Sequence, residues 1–277
     1  MTESARPETI AVVVPDSLGG GDPTACEATR GIVAVIEDIA GLSARVVPFP
    51  LGYLHHLHTS GEDALAGAGA VVVANARPEH ARTVRDLVDV PVLTDQDTTA
   101  IALTARVLTA LVQHGRAPQA GRVVVAGADT LPVLFPVLLA AGVGDITAWN
   151  QEDAVSFPLR RIAVGADVVI DLLGTCSGTE NAAMPPEAVV ITPEDGRDAL
   201  VALPGLLRAL ARVPGARLDV AVRHACALAL VMATPPEEQL PQEPDNALAD
   251  QVAAAAAGAF SQPAHRPHPT STDHLAE

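Results

Sequence analysis

Gly127 opens a six-residue turn, Gly127-Ala128-Asp129-Thr130-Leu131-Pro132, between the apolar run RVVVA at 122–126 and a leucine-rich segment that ends at Gly142. A buried strand that runs into a glycine and then a helix is where a G-x-G-x-x-G turn lays a pyrophosphate against a helix N-terminus. Only the first of the three glycines is present here, and an aspartate stands where the backbone should approach the phosphates. The spacing predicts dinucleotide contacts from Gly127, Ala128, Asp129 and Thr130. A fifth contact is expected from Asn150, which follows the next strand, DITAW, where an acidic residue would hold the ribose hydroxyls; Glu152 or Asp153 could take that place if the turn shifts. At 4 Å from a phosphate charge, the Asp129 carboxylate would cost about 4 kcal/mol at an effective dielectric of 20. That is roughly three decades of affinity.

Other reactive groups are sparse. All 17 basic residues are arginine, so a lysine base, a Schiff base or a phosphate-loop lysine is excluded. Cys26, Cys176 and Cys226 are widely spaced and form no C-x-x-C pair, which reads as buried inert thiols rather than a zinc site or disulfide framework. His55, His56 and His58 have ligand spacing, yet no acidic residue is interleaved among them, and a surface loop is the expected reading. Arg160-Arg161 is a candidate anion clamp, although a solvent-facing helix end accounts for it better. Thr175-Cys176-Ser177-Gly178 follows the strand ADVVID and falls at the carboxyl edge where open α/β sheets bind ligands.

The elements that must position these groups alternate. Strands are expected at 9–14, 44–47, 70–74 and 90–94, then at 122–126, 145–149, 166–171 and 188–191. Helices are expected at 22–39, 62–66, 78–87 and 98–113, then at 131–141, 154–164, 204–212, 218–233 and 246–257. Runs such as AVVV and ADVVI suit strands buried on both faces, and the alternation argues for parallel sheets. Hydrophobic residues make up 49% of the chain but aromatics only 2%, so the core must be built from Val, Leu, Ile and Ala. The net charge of −16 argues against nucleic acid or an anionic membrane as partner. Neither a long apolar span nor a signal pattern is evident, and a cytoplasmic protein is expected.

VPVLTDQDTTAIALTARVLTAL, RVVVAGADTLPVLFPVLLAAGVGDITAWN, GADVVIDLLG, ALVALPGLLRAL and PQEPDNALADQVAAAAAGAF follow one another between residues 86 and 262, and together they resemble the malic enzyme family. VPVLTDQDTTAIALTARVLTAL at 90–111 is similar to the family's strand, paired-aspartate turn and long helix. RVVVAGADTLPVLFPVLLAAGVGDITAWN and GADVVIDLLG follow in the family's order and spacing. ALVALPGLLRAL at 199–210 resembles its VLAFPG segment, and PQEPDNALADQVAAAAAGAF its final proline link and helix. The resemblance implies NAD or NADP as cofactor, a divalent metal with Asp95 as the surviving ligand, and a homodimer. The departures fall on the chemistry. The family's proton-transfer lysine is missing, and the sole tyrosine, Tyr53, lacks the family's motif. VVVANAR stands where the metal-binding Glu-Asp pair belongs. One carboxylate cannot build an octahedral oxygen site. The opening VVVPDSLGGGDPTACEATRGI also resembles the first strand and loop of glycerate kinases, without their lysine. An anion-binding loop at Gly19–Gly21 is the third and weakest functional possibility.

The expected fold is α/β with parallel sheets in two parts, the second a Rossmann-like malic-enzyme NAD(P)-binding domain. The expected organisation is a small N-terminal domain at 1–97, the Rossmann domain with C-terminal helices at 98–262, and a tail at 263–277. The expected function is that of a malic-enzyme-like protein without malate decarboxylation. It would bind a small molecule or a protein partner, or serve in assembly. The alternative is a divergent NAD(P)-dependent oxidoreductase.

Overall fold

The computed structural model describes residues 9–15, 23–49, 65–74, 78–176, 184–193, 197–213 and 216–261. Two four-stranded, wholly parallel sheets form an α/β architecture. The first has the order β2-β1-β3-β4, from β1 (Thr9–Pro15), β2 (Ser43–Phe49), β3 (Ala70–Val73) and β4 (Val92–Thr94). The second has the order β6-β5-β7-β8, from β5 (Arg122–Ala126), β6 (Asp145–Trp149), β7 (Val168–Asp171) and β8 (Val189–Ile191). Both sheets therefore follow one winding scheme, although the sequence carries no internal repeat. In the second sheet the winding direction reverses between β5 and β7, which puts the switch point at the ends of those two strands.

The apolar runs form strands because both their faces are covered. Val71 to Val73 and Val123 to Ala126 are buried throughout, as parallel sheets require. Nine α-helices surround them: α1 (Pro23–Ala34), α2 (Pro78–Leu87), α3 (Asp95–Gln113), α4 (Leu134–Ala140), α5 (Leu159–Ile162), α6 (Arg197–Val201), α7 (Leu203–Arg212), α8 (Val220–Ala233) and α9 (Asn246–Phe260) among the described residues.

The long helix α3 ties the two sheets together. Ile101 and Ala105 join the core formed by the first sheet with α7, α8 and α9. Ala100, Leu103, Val107 and Leu111 join the core formed by the second sheet with α4. The C-terminal helices thus cover a face of the first sheet. At the α7–α9 crossing, a Cβ on Gly205 would lie 2.5 Å from Val252 Cβ, so only glycine permits that approach.

Several expected boundaries shift, each for a local reason. Helix α3 starts at Asp95 rather than residue 98, because Thr94 and Asp97 form a reciprocal capping box. The helix expected at 22–39 is α-helical over Pro23–Ala34 and continues as a π-turn over Val35–Ala40. That turn leaves the Ile39 carbonyl to accept from the Arg208 guanidinium. The helix expected at 154–164 shrinks to Leu159–Ile162, since Pro158 restricts the preceding backbone. The helix α6 was not expected at all. Residues 62–64, Gly19–Gly21, Tyr53, His55, His56 and His58 lie outside the described residues, as do those beyond Ser261.

Candidate functional site

The switch point is built from three strand ends. β5 runs into Gly127, whose φ of 83° and ψ of 34° lie in the left-handed region where glycine is preferred. Its N–H donates to the Trp149 carbonyl at the end of β6, at 2.8 Å. A Cβ at this position would lie 2.7 Å from Leu173 Cγ and 3.3 Å from Leu172 Cβ, so the turn after β5 rests directly on the segment after β7. Gly127 thus keeps the tight-turn role of a first glycine.

The rest of the turn departs from a phosphate cradle. Ala128–Thr130 form a 3-10 turn, and the helix that should begin there starts only at Leu134. Thr130 N–H and Oγ1 both donate to the Gly127 carbonyl, at 2.9 and 2.7 Å, and Leu131 N–H donates to the Ala128 carbonyl at 3.4 Å. Those two N–H groups face inward, closing the turn on itself. Leu131 is buried among Leu134, Leu138 and Val143, which explains why the chain turns before α4 instead of entering it. α4 has seven residues, and no side chain caps its start at Val133. Asp129 and Thr130 are exposed. Ala128 is buried. Asn150 is half-buried with extended backbone, and its carbonyl accepts from Asp153 N–H at 3.0 Å; Glu152 and Asp153 sit exposed in the next turn.

β7 ends at Asp171, a fully buried carboxylate that the sequence reading passed over. Its Oδ2 accepts from Cys176 N–H at 2.6 Å, and its Oδ1 from Leu173 N–H and Thr175 Oγ1, both at 3.2 Å. These bonds meet the requirement that a buried charge be well partnered. They also fix residues 172–176 against Gly127. Cys176 is buried, while Ser177 and Gly178 lie outside the described residues. Trp149 is buried, and its indole N–H donates to the Phe157 carbonyl at 2.7 Å. Arg160 and Arg161 are exposed at the end of α5.

The first sheet contributes a second cluster where β4 meets α3. Asp95 is half-buried, and its Oδ1 accepts from Gln96 N–H at 3.0 Å. The deeper carboxylate is Asp97, two residues on. It accepts from Thr94 N–H and Oγ1 at 3.0 and 2.9 Å, and from Arg223 Nε and Nη2 at 3.1 and 2.7 Å. Arg85 Nη2 stands 3.6 Å from its other oxygen. Two guanidiniums from α2 and α8 therefore converge on one buried carboxylate at the N-terminus of α3, where the helix dipole also favours negative charge. The pattern Thr94-x-x-Asp97 before an apolar run is the signal that would have revealed it. Beside Arg223, burial lowers the His224 pKa from its ordinary 6.5, and deeper in α8 it pushes the Cys226 thiol up to about 12.

A second buried ion pair, Arg106 with Asp198, joins α3 to α6 at 3.2 Å, and Arg106 also donates to the Thr192 carbonyl at 2.8 Å. Among the described residues, no three His, Cys, Asp or Glu side chains lie close enough together to hold a metal ion. Nor is any helix among them long and apolar enough to cross a membrane.

Two parallel sheets sharing a helix, with a glycine turn at a switch point, define a doubly wound, Rossmann-like α/β fold. Solved malic enzymes share it along most of their length. The NAD-dependent malic enzyme of Thermotoga maritima superposes with a TM-score of 0.73 at 18% identity, over 91% of this chain and 85% of that one. The Pyrococcus horikoshii malic enzyme gives 0.72 at 17% identity, over 93% and 77%. The Entamoeba histolytica malic enzyme gives 0.72 at 18% identity, over 92% and 69%. No family model and no curated protein matches the sequence. The chain has the malic-enzyme fold.

Proposed function

We propose that this protein uses the malic-enzyme fold without performing malate oxidation and decarboxylation, and that it binds a small molecule or assembles with a protein partner instead. The turn after β5 carries this reading. The residues there do not fit a dinucleotide pyrophosphate: Asp129 occupies the approach, two inward N–H groups are spent on the turn's own carbonyls, and α4 begins too late to present its N-terminus. The chemistry around it agrees. The chain has no lysine to move a proton, and its deepest carboxylate at the β4–α3 junction is neutralised by arginines rather than held open. Asp95 alone supplies too few oxygens for an octahedral cation. A steady-state assay with malate, Mn²⁺ and either nicotinamide cofactor tests the proposal. No turnover above the protein-free background is expected; turnover at ordinary enzymatic rates, about 1 s⁻¹ or faster, would overturn it.

One observation favours a second reading, a divergent NAD(P)-dependent oxidoreductase. Gly127 retains the left-handed turn at the switch point, and the Thermotoga maritima neighbour is NAD-dependent. Saturable NADH binding that is lost in Gly127→Val would support this reading over the first.

A further inference from the structure

The segment 234–242, between α8 and α9, lies along one face of α3 and leaves open space beneath it. At one end is a cavity of about 360 Å³ against Arg106 and Asp198. At the other is a wider groove of about 660 Å³ that Thr109 lines. Arg106 and Thr109 are three residues apart and so share a helix face. The Thr109 hydroxyl is buried and has no hydrogen-bond partner among the described residues, although buried polar groups are normally satisfied.

The smaller cavity has an unusual charge balance. Its inner wall is the Arg106–Asp198 pair, with side chains only 11% and 3% exposed. Arg197, which donates to the Gln242 carbonyl at 2.8 and 2.6 Å, and Glu238 are the other charged residues of its lining. Two guanidiniums and two carboxylates make it neutral overall, with charges of both signs on its walls. A lone carboxylate entering it would meet two carboxylates, in a chain already at −16. A lone ammonium would meet two guanidiniums. A ligand carrying both charged groups on one carbon would satisfy both. Its volume is at the small end of the range of ligand pockets, about 300–1,000 Å³.

We propose that this cavity binds a small zwitterion, an α-amino acid or a molecule with the same adjacent ammonium and carboxylate. The carboxylate takes the place of Gln239 Oε1 on Arg106 Nη2, where the present contact is a long 3.4 Å bond to a neutral amide. The ammonium goes to Glu238, displacing the Gln242 side-chain amide from Glu238 Oε1. Arg106 lies roughly three turns of α3 beyond Asp95, and the proposal uses none of the residues invoked at the β4–α3 junction or in the Gly127 turn. Its success or failure is independent of the reading given to those.

The test is calorimetric titration of the full chain with L-alanine, glycine and L-serine, alongside propionate and ethylamine, which each carry one of the two charges. Saturable binding of at least one amino acid is expected, with none for propionate or ethylamine at the same concentration. Arg197→Gln and Glu238→Gln, both at the rim, should retain native circular dichroism and bind at least about tenfold more weakly. Three results would overturn the proposal: no saturable binding of any of the three amino acids, equal binding of propionate, or unchanged affinity in both variants.

Discussion

Asp97 shows how much one carboxylate can decide. It caps α3, receives both Arg223 contacts and faces Arg85, so it joins α2, α3 and α8 at one point. Replacing it by Asn keeps the shape but leaves the buried Arg223 guanidinium uncompensated. Removing one partner of a buried pair costs about 3–5 kcal/mol, and urea denaturation of Asp97→Asn should show a loss near the lower end of that range. Arg85→Gln should cost far less, because Arg85 is 43% exposed and its contact is longer. Two groups on α8 make stability depend on pH at opposite ends. The His224 pKa is lowered in the fold, so its contribution is complete above 6.5 and is lost as pH falls below that value. The Cys226 pKa is raised from 9.0 to about 12, so its contribution is complete below 9 and declines as pH rises towards 12. Denaturation midpoints should fall at both ends, with His224→Gln flattening the acidic limb and Cys226→Ala the alkaline one. Cys226 should also resist thiol reagents in native protein at pH 8 and react on unfolding.

At the scale of elements, close helix contacts separate glycines that are needed from one that is not. Gly205→Ala would drive a Cβ to 2.5 Å from Val252 Cβ and 2.7 Å from the Ala249 carbonyl. Thermal denaturation should show a loss of about 1–3 kcal/mol from overpacking. Gly258 lies in α9 with nothing near its missing Cβ, and Gly258→Ala should stabilise by about 0.5–1 kcal/mol. The elements were largely legible because valine-rich runs buried on both faces have few other homes. Their edges were less so. The first turn of α3 depended on a capping box that was present in the sequence but passed over, and the late start of α4 depended on the burial of Leu131, which no local pattern specifies. The partners of the site were least legible. Arg223 lies far along the chain from Asp97, and Arg106 far from Asp198, so only the packing of α8 and α6 against α3 brings them together. Asn150 and Asp129 could be placed from strand spacing alone, but the shape of the turn between them could not.

At the scale of the molecule, two sheets with one winding scheme share a helix and reproduce the malic-enzyme fold, while the turn after β5 is closed by its own carbonyls. Asp129 is exposed, which moderates the repulsion expected from sequence: in water the same pair at 4 Å costs about 1 kcal/mol rather than 4. The shape of the turn therefore matters more than its charge, and Asp129→Gly should restore little dinucleotide affinity, about tenfold at most. Fluorescence titration with NADH checks this directly, because Trp149 is the only tryptophan and its strand end is bonded to Gly127. Unmodified protein should show linear, non-saturating loss of Trp149 emission up to roughly millimolar NADH, where the binding free energy would be only about −4 kcal/mol. Saturable quenching with a micromolar midpoint that disappears in Gly127→Val would contradict the account.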